Sequence, residues 1–172
     1  MRLSILSFGL AIGVLLLALA CATTVALPRP RELALPTAFQ DATHPYLSPF
    51  TAEDTLAEWT AQAIRIKAKG QIAGAFGTIL GIALGGDPIF GSLAKSAARD
   101  AARRQAIEAL GGWERIRELS SVSFDSADDL AVHLYALYSA EPTYVDALDA
   151  AMTLYPDLAE RYVPAIAAAR RH

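Results

Sequence analysis

Cysteine is almost missing from this chain: Cys21 is the only one. A single thiol cannot close an internal disulfide, so packing alone must hold the fold together. Histidine is scarce as well, with only His44, His133 and His172. Charge is thin and nearly balanced, 15 basic against 18 acidic side chains, for a net charge of −3. The basic residues are dispersed apart from Arg99, Arg103, Arg104 and the terminal Arg170-Arg171-His172. That distribution offers no electrostatic footprint for nucleic acid, so none is expected as a partner. Strand signals are equally poor. Ser121 to Phe124 alternates, but four residues without a partner do not make a sheet, and no internal repeat is present.

The patterns that support catalysis are also lacking. No serine sits in a G-x-S-x-G elbow or an S-x-x-K motif. The glycine-rich stretch "GAFGTILG" has no Lys-Ser/Thr ending and so is not a phosphate loop. Asp129 and His133 are four apart and would share a helix face, yet two residues do not make a metal site. The paired acids Glu53-Asp54 and Asp128-Asp129 fall at helix starts, where their role is to face the positive end of the helix dipole. The expectation is therefore a protein that is not an enzyme, with no catalytic residues, no metal and no cofactor.

What is present begins at the N-terminus. "MRLSILSFGLAIGVLLLALA" carries one basic residue, Arg2, then an uncharged apolar run ending in small residues. This is the layout of a secretory signal peptide, expected over residues 1–20. A membrane anchor is the alternative, at the minimum spanning length of ~18 residues. The run Ala18-Leu19-Ala20-Cys21 resembles the lipobox of bacterial lipoproteins, with Ala18 where that pattern usually has Leu. The resemblance implies lipidation of Cys21 and a membrane partner reached through the N-terminal lipid. With Ala22 rather than Asp next, it implies an outer-membrane anchor facing the periplasm. An ordinary signal-peptidase cut beside an incidental thiol is the other reading.

Residues 21–50 hold five of the nine prolines, Pro28, Pro30, Pro36, Pro45 and Pro49. Proline fixes φ and removes a donor, which suits an extended lipid-anchored tether. The same segment carries Leu33, Leu35, Phe39, Tyr46, Leu47 and Phe50, apolar enough to wrap over the fold instead, and Tyr46 to Phe50 is expected to pack.

Beyond residue 50 everything reads as helix. Thr51 is a candidate N-cap, with Leu56, Trp59, Ala63 and Ile66 forming an apolar stripe. Asp87-Pro88 starts an alanine-rich helix that Gly111-Gly112 ends. A short helix should follow from Trp113 to about Leu119, then helices near 127–139, 143–154 and 156–170. Asp125 or Ser126 is expected to cap the first of these, and Pro164 to disturb the last.

Between these lies "GQIAGAFGTILGIALGGDP", Gly70 to Pro88. Ala73, Gly77, Gly81 and Gly85 recur every fourth residue, with Gly74 beside them, a smooth strip suited to close helix contact. Each glycine costs up to ~1 kcal/mol of helix stability, so the strip needs a reason. The stretch resembles the glycine zippers of some bacterial envelope proteins. The uncharged run would span about 25 Å as a helix, short of a ~30 Å bilayer core. Packing on the alanine face of the next helix (Ala94, Ala97, Ala98, Ala101) is favoured over membrane insertion or self-association.

Aromatics concentrate late in the chain, with Tyr135, Tyr138, Tyr144, Tyr155 and Tyr162 beside Trp113 and Phe124. Tyrosine suits both small cores and binding faces, and Tyr135 and Tyr138 are candidates for a groove. The expected fold is all-α, a glycine/alanine hairpin (51–111) with a small C-terminal bundle (112–172) packed on it. The expected function is a non-enzymatic, envelope-anchored structural or interaction module with an unknown envelope protein as partner. Two alternatives stand beside it. One is a membrane-active protein inserting or oligomerising through Gly70–Gly86, and the other is a small-ligand or peptide binder using a Tyr-lined groove.

Overall fold

A computed structural model describes residues 27–69 and 92–170. These residues are mostly helical, in keeping with an all-α fold, with one short two-stranded sheet. The N-terminal stretch forms a 3-10 turn, Pro30–Glu32, and a strand, β1, Tyr46–Leu47. The helices are α1 Glu58–Ala68, α2 Ser92–Ala109, α3 Trp113–Glu118, α4 Ala127–Tyr138, α5 Tyr144–Leu154 and α6 Pro156–Ala168. A second strand, β2, Ser123–Phe124, precedes α4.

Helix boundaries follow local chemistry. Gly111 and Gly112 both have φ near +90°, which L side chains rarely adopt. Their N–H groups return to the carbonyls of Glu108 and Ile107, closing α2 with a Schellman motif. Ser126 caps α4, its Oγ accepting the Asp129 N–H at 3.1 Å. Pro156 opens α6 at the first helical position, where no N–H is needed. Pro164 sits within α6, exposed, and the helix continues past it to Ala168.

The first helix starts later than Thr51 suggests. Thr51 N–H donates to the Thr55 carbonyl and its hydroxyl meets the Thr55 hydroxyl, so it holds a turn and not a helix end. Asp54 takes a left-handed φ of 59°, and Phe50 bridges to Leu56 across the turn. Only at Glu58 does α1 begin, and its inward face then buries Trp59, Thr60 and Ala63.

Residues 27–50 do not stand off from the domain. Leu33, Leu47 and Phe50 are buried in the core, and the Ala34 N–H reaches the Ala169 carbonyl at the end of α6. Ser121–Phe124, which had no visible partner, finds one here: β1 and β2 pair antiparallel, Tyr46 opposite Phe124 and Leu47 opposite Ser123. Phe39 joins by exchanging both backbone hydrogen bonds with Ser123. The partner lies more than seventy residues away in a proline-rich stretch, which is why alternation alone missed it.

One core unites these pieces. Trp59, Phe124, Leu130, Leu134, Met152, Leu154, Leu158 and Ile166 are its largest buried members, with Leu33 and Leu47 contributed by the N-terminal stretch. Helix α4 packs along α6, α5 takes α1 and α2, and α4 also receives the 3-10 turn and both strands. At the α5–α6 contact the hydroxyls of Tyr144 and Tyr162 meet within the core. Lys67 of α1 reaches Asp149 of α5 at 3.0 Å and Asp146 at 3.2 Å.

Candidate functional site

Tyr135 and Tyr138, the two groove candidates, reach different points of the N-terminal stretch. Tyr138 is buried, stacks on Phe50 at 3.9 Å and donates to Asp54 at 2.6 Å. Burial first, and then the Asp54 carboxylate, raise its pKa. Tyr135 is half-buried and donates to the Pro28 carbonyl at 3.1 Å. The two rings therefore clamp two different points of the chain that precedes α1, which deepens the docking of residues 27–57.

His133 is buried between Phe124 and Tyr138, with ring centroids at 4.7 and 5.6 Å. Burial pushes its pKa down to about 4, so the imidazole is neutral at pH 7. Asp129 is turned to the Ser126 hydroxyl at 2.6 Å, and among the described residues no three metal-ligating groups gather. The lipidation candidate Cys21 and the packing strip Ala73, Gly74, Gly77, Gly81 and Gly85 lie outside the described residues. Ala101, one of the alanines assigned to face that strip, is exposed, while Ala102 is half-buried and Ala106 is buried in the core. Among the described residues no helix is long and apolar enough to cross a membrane.

A different set of side chains converges where the N-terminal stretch meets α2, α3 and α6. Pro45 and Tyr46 come from the stretch, Arg103 from α2, Trp113 and Arg117 from α3, and Tyr155 and Asp157 from the α5–α6 junction. They line an open cleft of about 400 Å³, within the size range of small-ligand sites. The Gly111-Gly112 reversal makes this possible, because it turns α3 back so that Trp113 lies under the α2 arginine. The Arg103 guanidinium carbon sits 5.6 Å from the Trp113 ring centre, a cation–π contact. Tyr155 lies beside both Tyr46 (5.2 Å between rings) and Trp113 (5.9 Å).

The polar groups of the cleft are unevenly satisfied. Tyr46 donates its hydroxyl to Asp157, which holds the phenol up at about 12. Tyr155 is buried, which raises its pKa, and its hydroxyl accepts the Leu47 N–H at 2.9 Å. Both phenols therefore stay protonated at neutral pH. Among the described residues Arg117 makes one hydrogen bond, to the Ala42 carbonyl at 3.3 Å. Arg103 has no ion-pair partner among the described residues, and its Nε is buried without a hydrogen bond. A buried donor left unpaired costs ~1–3 kcal/mol, more when it belongs to a charged group.

Sequence alone did not assemble this cleft. Arg103 was visible as part of a basic cluster and Trp113 as part of the aromatic bias. The signal that joins them is their position on either side of a double-glycine helix stop. Tyr46 and Asp157 are 111 residues apart, and nothing local connects them.

What these features define is a small, mostly helical domain with a polar aromatic cleft beside its docked N-terminal stretch. No family model matches the chain, and neither a curated protein nor a solved structure is significantly similar to it.

Proposed function

We propose that the protein is a non-enzymatic, lipid-anchored module of the bacterial cell envelope that acts by binding a partner or ligand. The observation that carries this reading is the course of residues 27–50, which belong to the domain and form one wall of the cleft. If the chain is cut before Cys21 and acylated there, five residues, and so six steps of the chain, separate the anchor from Leu27. Extended, they reach about 20 Å. Such a short leash would hold the domain at the bilayer surface, and two or three acyl chains would make the hold stable. The outer membrane, with the domain facing the periplasm, is the compartment that Ala22 favours.

The cleft supports a binding role in particular. Its groups are two guanidiniums, two protonated phenols and an indole, which recognise ligands through charge, hydrogen bonds and stacking. This moves the tyrosine-lined groove from Tyr135 and Tyr138 to Tyr46 and Tyr155. Fatty-acid labelling of wild type and Cys21→Ser, with envelope fractionation, tests the anchor. Label in the wild type that disappears in Cys21→Ser supports it. Unlabelled protein in both, or a Cys21→Ser protein that stays in the membrane fraction, overturns it.

A further inference from the structure

We infer that the cleft lined by Arg103, Arg117, Trp113 and Tyr155 is a binding site for a monocarboxylate with an aromatic or apolar body. The charge of the site sets the class. Arg103 and Arg117 supply two positive charges and Asp157 one negative, so the lining carries a net +1. One carboxylate neutralises it; a phosphate monoester, near −2, would leave excess negative charge beside Asp157.

Geometry points the same way. Asp157 accepts the Tyr46 hydroxyl, and among the described residues it forms no ion pair with either guanidinium. Arg117 spends one terminal nitrogen on the Ala42 carbonyl and keeps its remaining donors. Arg103 has none of its donors paired with a described residue, and it is held in place instead by the Trp113 ring. A cation–π contact positions a guanidinium without using its N–H groups, which leaves its fork available for bidentate recognition. Among the described residues Arg103 is given no acceptor, so an anion in the cleft would meet unspent terminal donors. The rings of Trp113 and Tyr155, with Pro45 at the rim, provide an apolar surface for the rest of the ligand. At about 400 Å³ the space suits a single ring and its carboxylate.

The site stands independently of membrane anchoring, so it is tested on the detergent-solubilised chain and on its Cys21→Ser form alike. The probes are benzoate, phenyl phosphate and benzyl alcohol, which share a ring and differ in charge. Binding is followed by the indole N–H resonance of Trp113. Benzoate should shift it saturably, and benzyl alcohol should not. Arg103→Gln and Arg117→Gln should each weaken benzoate at least tenfold, the loss of a charge-assisted hydrogen bond of about 1.4 kcal/mol or more. Arg103→Lys, which keeps the charge and loses the fork, should fall between wild type and Arg103→Gln, and covers the case in which the glutamine variant does not fold. No saturable shift, an equal response to benzyl alcohol, or a Kd unchanged in Arg103→Lys and Arg117→Gln overturns the site. Tighter binding of phenyl phosphate than of benzoate overturns the monocarboxylate assignment.

Discussion

Leu33→Ala tests whether the proline-rich stretch is part of the domain. Leu33 lies just past the 3-10 turn, is 1% exposed, and is fixed by its N–H to the Pro30 carbonyl. Truncation removes three carbon atoms from a closed environment, worth ~0.8 kcal/mol each as transfer alone. A residual cavity adds to this, because a core contacted from α4 and α6 relaxes only in part. The expected loss is therefore about 2.5–4 kcal/mol, a large share of the stability of a domain this size. Leu35→Ala, two residues along and 50% exposed, should cost under ~0.5 kcal/mol. Urea unfolding of a chain lacking residues 1–20, read by circular dichroism, measures both, with the slope checked so that midpoints convert to stability. A Leu33→Ala midpoint no lower than that of Leu35→Ala would show that the stretch is a free tether and refute the docking.

Lys67→Met should destabilise by about 2–3 kcal/mol, below the range for fully buried pairs because Lys67 is about a third exposed. Burial already raises the Asp149 carboxyl above its ordinary value, while the Lys67 ammonium opposes that rise. Without the ammonium, the folded-state pKa climbs further, and stability is lost as pH rises through it. The gap from wild type should widen between pH 4 and pH 8, and a pH-independent gap in urea unfolding refutes this. His133 gives the opposite slope. Its folded pKa of about 4 lies below the ordinary 6.5, so the folded state binds fewer protons and stability falls as pH drops through that window. An NMR titration of its imidazole with a midpoint near 6.5 would contradict the burial that causes the shift.

Much of the helical plan was legible locally. Gly111-Gly112 ended a helix because only glycine takes positive φ there without strain, and Ser126 and Pro156 marked starts through their own side-chain chemistry. Thr51 misled because the same hydroxyl that caps helices also holds tight turns, and Asp54 in a left-handed conformation selects the turn. Tyr135 and Tyr138 were recognised as more than surface residues. Their partners, Pro28 and Asp54, belong to segments that composition described only as proline-rich or acidic.

From the sequence alone come the predominantly helical class, the order of the helices, the scarcity of charged and metal-ligating groups, and the uncharged apolar run that precedes Cys21. Helix caps, apolar periodicity and chain stops act over a few residues, so they can be read along the chain. The tertiary structure alone decided that residues 27–50 are core rather than spacer, that Ser123-Phe124 pairs with Tyr46-Leu47, and that Arg103 faces Trp113, Tyr46 and Asp157. These depend on contacts between distant segments, whose cost in chain entropy is recovered only when the whole core closes.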